Sequence, residues 1–220
     1  MAKTRQNFEK DLKDLRQDIL RLGSLVELAI DLAIQSLVKQ DQELAEQVIA
    51  GDQIIDEIEQ EIEHKCIILI ATQQPMAKDL RRIGAGFKII TDLERMADYA
   101  VDIARSTNRI VGEPLVKPLI DIPMMAKLVQ KMVRDCLDAY VREDVDLAQK
   151  VGEDDHQVDH LYGTVFNDLL ELMTKEPSAV KQGSYLLFVA RSLERIGDHA
   201  TNVAEDVVFL VTGERKEIND

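Results

Sequence analysis

The sequence predicts an all-α protein of two tandem, pseudo-symmetric three-helix bundles, each made of long antiparallel helices. The first observation behind this prediction is composition: aromatic residues make up 4% of the chain, and Gly and Pro number only 10 and 5 among 220 residues. Leu, Ile, Val, Ala and Met therefore fill the apolar positions, which favours helices. The second observation is an apolar spacing of three and four residues, and the third is that the second half of the chain repeats the first.

The first half contains three helical stretches. Apolar residues recur every three or four positions over residues 8–33, which is the seam of one long helix packed at a shallow angle on others. Asp41 follows a break and is the expected N-cap of a second helix that continues to about residue 73. Pro75 ends that helix, and a third is predicted over residues 77–111, with Gly112 behind it.

The second half repeats this order after a linker. Residues 112–123 read GEPLVKPLIDIP, and the three prolines mark the boundary between repeats at 1–113 and 114–220. A fourth helix is predicted over residues 124–142, and a fifth runs from an N-cap at Asp144 to about residue 175. Pro177 separates the fifth helix from the sixth, which is predicted to end near residue 211.

The two halves align residue by residue. DQELAEQV at 41–48 matches DVDLAQKV at 144–151, an offset of 103 residues. LERMADYAVDIA at 93–104 matches LERIGDHATNVA at 193–204, an offset of 100, and six of these twelve positions are identical. The acids of the third helix are among the retained residues, whereas neighbours on other faces of the helix differ.

Retained acids form a stripe on the third helix of each half. Glu94, Asp98 and Asp102 are spaced four apart, so they share one helix face, and the second copy has an amide at the last position. Like charges at this spacing cost roughly 0.2–0.5 kcal/mol per pair. A cation, an arginine or solvation must therefore offset the repulsion. Arg95 and Arg195 are expected to point away from the stripe and to form ion pairs between helices.

A second acidic band precedes each stripe, on the neighbouring helix. The two bands are expected to meet along one groove per half, offering oxygen ligands to Mg²⁺, Mn²⁺, Ca²⁺, iron or, less typically, zinc. Acid rows on long helices are usually solvated faces, but retention in both copies favours metal binding here. His156 is a candidate nitrogen ligand. The candidate ligands are Asp52, Asp56, Glu59, Glu94, Asp98 and Asp102 in the first half and Asp155, Asp159, Glu194, Asp198 and Asn202 in the second.

Charge and composition argue against several functional classes. A net charge of −14 disfavours nucleic acid and anionic lipid as partners. The apolar runs are too short for a membrane span, and the start of the chain does not read as a signal peptide. Two scattered cysteines, Cys66 and Cys136, predict a reduced, cytoplasmic setting. The sequence contains no nucleophile–base pair and no glycine-rich phosphate loop, so no enzyme is predicted.

The duplicated LER segments, the mid-helix acids and the stretch LERIGDHATNVAEDVVFLVTG resemble the PhoU family over about residues 8–213. The resemblance implies a cytoplasmic, non-enzymatic regulator that couples a phosphate ABC transporter ATPase to a sensor histidine kinase and represses the phosphate-starvation response. It also implies iron or zinc clusters on the E/DxxxD motifs of each repeat, and a homodimer. Asn202, and Tyr162 in the place of Glu59, depart from the first copy, which predicts unequal metal occupancy.

Two alternatives remain from the sequence. One is a metal-free helical adaptor whose acidic face is a surface for a partner. The other is a ferritin-like di-iron oxidase, which requires ExxH motifs on two equivalent helices. Glu61–His64 and Glu153–His156 have this spacing, but His64 aligns with Asn167 and His156 with Gln53. The motifs are therefore not equivalent, and three helices per repeat is the wrong number for that fold.

Overall fold

A computed structural model describes residues 2–219, with side chains from Gln6 onward, and no strand occurs within that part of the chain. The prediction of an all-α fold is confirmed. A single 3₁₀ turn, Pro177–Ala179, precedes the last helix. The six helices are α1 Ala2–Lys39, α2 Gln42–Gln73, α3 Ala77–Ile110, α4 Asp121–Arg142, α5 Val145–Lys175 and α6 Val180–Thr212.

Local capping fixes several helix ends, as the sequence predicts. The carboxylate of Asp41 accepts hydrogen bonds from the backbone N–H groups of Glu43 and Leu44, at 2.9 and 3.1 Å, and Asp144 accepts one from Leu147 at 3.0 Å. The predicted start of α4 was wrong by three residues, because the helix begins at Asp121 and includes Pro123. Proline is compatible with the first turn, where its missing N–H leaves no hydrogen bond unmade.

The six helices form two three-helix bundles that share one core. Helices α1, α2 and α3 pack against one another, and α4, α5 and α6 do the same. The bundles meet mainly through α3 and α6, with a smaller contact between α1 and α4. Gly23 allows the second contact, since a Cβ there would lie 2.5 Å from Leu137 Cδ1. The buried side chains of both halves belong to a single apolar cluster.

Helices α3 and α6 run antiparallel across the junction between the bundles. Lys88 Nζ lies 2.7 Å from Asp206 Oδ1, and Asp92 Oδ1 lies 2.8 Å from His199 Nδ1. As the position advances along α3, its partner moves back along α6. The two halves are therefore related by a pseudo-twofold rotation close to the small buried residues Ala97 and Gly197.

None of the described helices is long and apolar enough to cross a membrane.

Candidate metal centre

The two acidic bands of the first half lie close enough to influence each other along the contact between α2 and α3. Burial and then like charge from Asp56 and Asp98 raise the pKa of Asp52. Burial and then like charge, chiefly from Asp98 on its own helix and also from Asp56 and Glu59 of α2, raise the pKa of Glu94. Acids of α2 and α3 therefore line the same contact between the two helices. We call this the first groove.

The second half has an equivalent groove between α5 and α6. Burial is the main cause that raises the pKa of Asp155 to about 6, and the charges of Asp159 and Asp198 add to it. The pKa of Glu194 is also raised, by burial first and then by Asp198 and Asp159. We call this the second groove. It contains four carboxylates, whereas six candidate carboxylates lie along the first groove.

Each groove already contains at least one arginine paired with its acids, which contradicts the expectation for Arg95 and Arg195. Arg95 Nη1 donates to Asp98 Oδ2 at 3.0 Å, and its Nε lies 3.5 Å from Glu94 Oε2. Arg195 makes the same two contacts with Asp198 and Glu194, at 2.9 and 3.7 Å. The expectation was wrong because a long arginine side chain reaches acids three residues ahead and one behind on its own helix.

Asn202 is directed to the other half of the molecule instead of to α5. Its amide Nδ2 donates to Asp92 Oδ1 at 3.1 Å, and the same oxygen contacts His199. In the first copy, Asp102 pairs with Arg105 of its own helix at 3.4 Å. Sequence reasoning missed Asp92, because its partners lie more than a hundred residues away and share no periodic signal with it.

The second groove is also contacted by residues 214–219, which follow α6 and which we call the strap. Asn219 Nδ2 donates to Asp155 Oδ2 at 2.5 Å. Sequence analysis missed this contact, since no motif marks the strap. His156, the candidate nitrogen ligand, is exposed and lowers the pKa of Asp155 only through its charge, the smallest of the contributions.

The donor set of both grooves suits a cation that prefers oxygen ligands. Two carboxylate oxygens of the second groove, Asp155 Oδ1 and Glu194 Oε2, are buried without a hydrogen-bond partner. Such orphaned oxygens are costly unless a donor or an ion satisfies them. Among residues whose side chains the structure describes, however, no three acids, histidines or cysteines converge on a point suited to one ion. The chemistry fits a metal, and side-chain rotation would be needed to complete its coordination.

Comparison with known proteins identifies the family. Residues 19–107 and 122–207, one segment in each half, match the PhoU domain. A phosphate-specific transport system accessory protein PhoU homolog from Clostridium acetobutylicum is 46% identical over 218 residues, which is 99% of this chain and 100% of the relative. A homolog of the same name from Aquifex aeolicus is 43% identical, over 93% of each chain.

Solved structures agree with this assignment. The crystal structure of PhoU from Pseudomonas aeruginosa superposes with a TM-score of 0.91 at 38% identity, covering 94% of this chain and 100% of that one. The phosphate transport system regulatory protein PhoU from Streptococcus pneumoniae gives a TM-score of 0.89 at 30% identity, covering 95% and 99%. The chain belongs to the PhoU family.

Proposed function

We propose that this protein is a metal-binding regulator of phosphate uptake. It couples a phosphate ABC transporter to a sensor histidine kinase and represses the phosphate-starvation response. Support comes from family membership and from the names of its relatives, an accessory protein and a regulatory protein of phosphate transport. The proposal includes a cytoplasmic location, a homodimer, and the transporter ATPase and the kinase as partners. It includes no catalytic reaction.

The metal part of this proposal rests on one observation: two duplicated grooves gather carboxylates, and the second leaves Asp155 Oδ1 and Glu194 Oε2 buried without a hydrogen bond. Iron or zinc clusters are the expected occupants, and Mg²⁺, Mn²⁺ or Ca²⁺ would suit the same oxygens. A bound metal would supply the positive charge that neutralises the repelling carboxylates. The acids of α2 and α5 would then be held against those of α3 and α6, which fixes each helix pair.

A metal that holds these helix pairs together would give the protein a regulatory role. Without a cation, repulsion between the bands favours a looser contact between α2 and α3, and between α5 and α6. With one, the same helices are held in a single arrangement. The grooves thus give the protein two states, and a partner that prefers one state would sense metal occupancy. The strongly acidic surface, from a net charge of −14, favours partners with a basic docking patch.

The metal-free adaptor remains a second candidate, and one observation favours it. Arg95 and Arg195 already neutralise part of each stripe, through contacts at 3.0 and 2.9 Å. In that case the acids serve only as a surface for a basic partner, and their pairing with arginine keeps the stripe from repelling itself.

Metal analysis separates the two candidates. Protein purified without chelator is assayed for iron, zinc and manganese by mass spectrometry, beside Asp98→Ala and Asp198→Ala. Asp138→Ala is the control, since that acid lies on α4 and, among the side chains that the structure describes, pairs with Arg142 alone, at 3.3 Å. We expect stoichiometric metal in the wild type and in the control, and substantial loss in each groove variant. Metal-free wild-type protein, with normal repression in all variants, would establish the adaptor instead.

The partners are tested in cells. A tagged chain is recovered from phosphate-rich and phosphate-starved cultures, and the captured proteins are identified. We expect the transporter ATPase and the sensor kinase in phosphate-rich cells, and a phosphate-starvation reporter that is permanently active when the gene is deleted. Capture of neither partner would contradict the assigned role.

A further inference from the structure

The strap lies against α5 and α6 through contacts at both of its ends. Gly213 ends α6 in a left-handed conformation with φ of +80°, and this turns the chain away from the helix axis. The backbone N–H of Glu214 then donates to Thr212 Oγ1 at 3.1 Å. At the other end, the N–H of Ile218 donates to Glu205 Oε1 at 3.2 Å, and Asn219 reaches Asp155. Ile218 packs against the apolar core.

A glycine on α5 makes room for the strap. A Cβ at Gly152 would lie 2.8 Å from the carbonyl oxygen of Ile218 and 2.9 Å from Asn219 Oδ1. Any larger residue would therefore push the strap outward. The aligned residue in the first half is Ile49, so the first groove lacks this opening.

The strap changes the surroundings of Asp155, which lies beneath it. Asp155 is 3% exposed, whereas the aligned Asp52 of the first groove is partly exposed. One carboxylate oxygen of Asp155 accepts from Asn219, and the other is buried without a partner. The amide N–H of Asn219 donates to Asp155 Oδ2, so a cation that binds Asp155 through both carboxylate oxygens needs the place that the amide occupies. The amide donor and such a cation therefore compete for Oδ2.

We propose that the strap is a built-in competitor of the metal at the second groove. Docking of Asn219 on Asp155 and binding of a cation there are alternatives, so metal releases the strap. The first groove has no such cover and fills at a lower metal concentration. This inference rests on the proposed metal binding, and it makes the second groove the regulated one.

Docking of the strap is tested first on metal-free protein. Arg215 and Lys216 are exposed trypsin sites within the strap, but a protease needs several residues of locally unfolded chain around the bond that it cleaves. We expect Gly152→Ala to accelerate tryptic cleavage at these two sites several-fold over the wild type. The control is Gly163→Ala on the same helix, where a Cβ meets nothing within 4 Å. Equal cleavage rates in all three proteins would overturn the docked strap.

Competition is tested by titration with Zn²⁺ in a calorimeter. The Asp98→Ala background disables the first groove, and the chain is compared with and without residues 214–220. If the strap leaves the groove open a tenth of the time or less, its removal tightens the apparent affinity about tenfold or more. Zn²⁺ should also accelerate cleavage at Arg215 and Lys216 in the intact chain.

Other outcomes separate this inference from the proposed function. Unchanged zinc affinity after truncation would overturn the competition and leave metal binding intact. Weaker affinity would also overturn it, since Asn219 would then be a ligand of the metal. Absence of zinc from both chains would overturn metal binding and the competition together, and the cleavage rates of the metal-free glycine variants would still report whether the strap docks.

Discussion

At the scale of single residues, Asp155 shows that the second groove lowers the free energy of unfolding of the metal-free protein. Of the eleven candidate ligands it alone is fully buried, and burial with like charge raises its pKa from 3.8 to about 6. Between these two pH values the folded chain binds a proton that the unfolded chain does not. The free energy of unfolding contributed by this group therefore rises as pH falls from 7 toward 4.

Asp155→Asn should stabilise the metal-free protein. The amide removes the charge but keeps an oxygen that accepts from Asn219, so we expect a gain on the order of 2 kcal/mol at about pH 8 that shrinks as pH falls through about 6 toward 4. Urea unfolding of chelator-treated protein at several pH values measures it. Asp138→Asn on α4 is the control and should change little. A loss of stability at high pH would show that the Asp155 charge is compensated in a way the structure does not explain.

At the scale of elements, much of the fold follows from the sequence because its signals are local. Apolar spacing depends on residues three and four apart, and the caps at Asp41 and Asp144 act on N–H groups two or three residues ahead. The start of α4 was missed because Pro123 can occupy the first turn as readily as it can precede a helix.

The cap residues give a direct test of this local logic. Asp41→Ala and Asp144→Ala each leave helix N–H groups without an acceptor, so each should lower the free energy of unfolding by about 1 kcal/mol. Urea denaturation followed by circular dichroism measures the loss. Glu153→Ala, an exposed acid in the body of α5, serves as the comparison and should stay within a few tenths of 1 kcal/mol. A larger loss at Glu153 than at the caps would refute the capping argument.

The candidate site could be predicted only in part, for the same reason. Acids on one helix face follow from spacing, and the meeting of two bands follows from a short antiparallel connection. The hydrogen bonds from Asn202 to Asp92 and from Asn219 to Asp155 span 110 and 64 residues, and neither has a counterpart in the other half among the described residues. A single sequence contains no periodic signal for such contacts. The directions of the Arg95 and Arg195 side chains likewise depend on which nearby acids they contact, and spacing alone does not fix that choice.

At the scale of the whole molecule, the contact of α3 with α6 makes one body of two repeats. The ion pair of Lys88 with Asp206, at 2.7 Å, joins the halves away from the centre. Asp92, His199 and Asn202 join them closer to the pseudo-twofold axis, where Tyr99 also lies beside His199 with ring centroids 5.8 Å apart. The residue that departs from the first acid stripe is therefore part of the interface between the halves.

Asn202→Asp should weaken this interface. The new carboxylate would lie beside Asp92 Oδ1, where the amide now donates at 3.1 Å, so a hydrogen bond becomes a repulsion. We expect a loss of about 0.5–1 kcal/mol at neutral pH, measured by thermal and urea unfolding, because Asn202 is exposed and solvent screens the repulsion. The double variant Asp92→Asn/Asn202→Asp restores one amide and one acid and should recover much of the loss. If the double variant did not recover stability, the loss in Asn202→Asp would not come from repulsion between residues 92 and 202.

The pairing of Asp92 with Asn202 also bears on how a duplicated chain stays together. The aligned positions in the opposite halves are Ser192 and Asp102, so each set of two residues contains a single acid. A chain with identical halves and aspartate at all four positions would place two carboxylates against each other at two points of the contact between its halves. Divergence between the copies therefore stabilises their contact: unlike residues at these positions attract each other, whereas identical acids would repel.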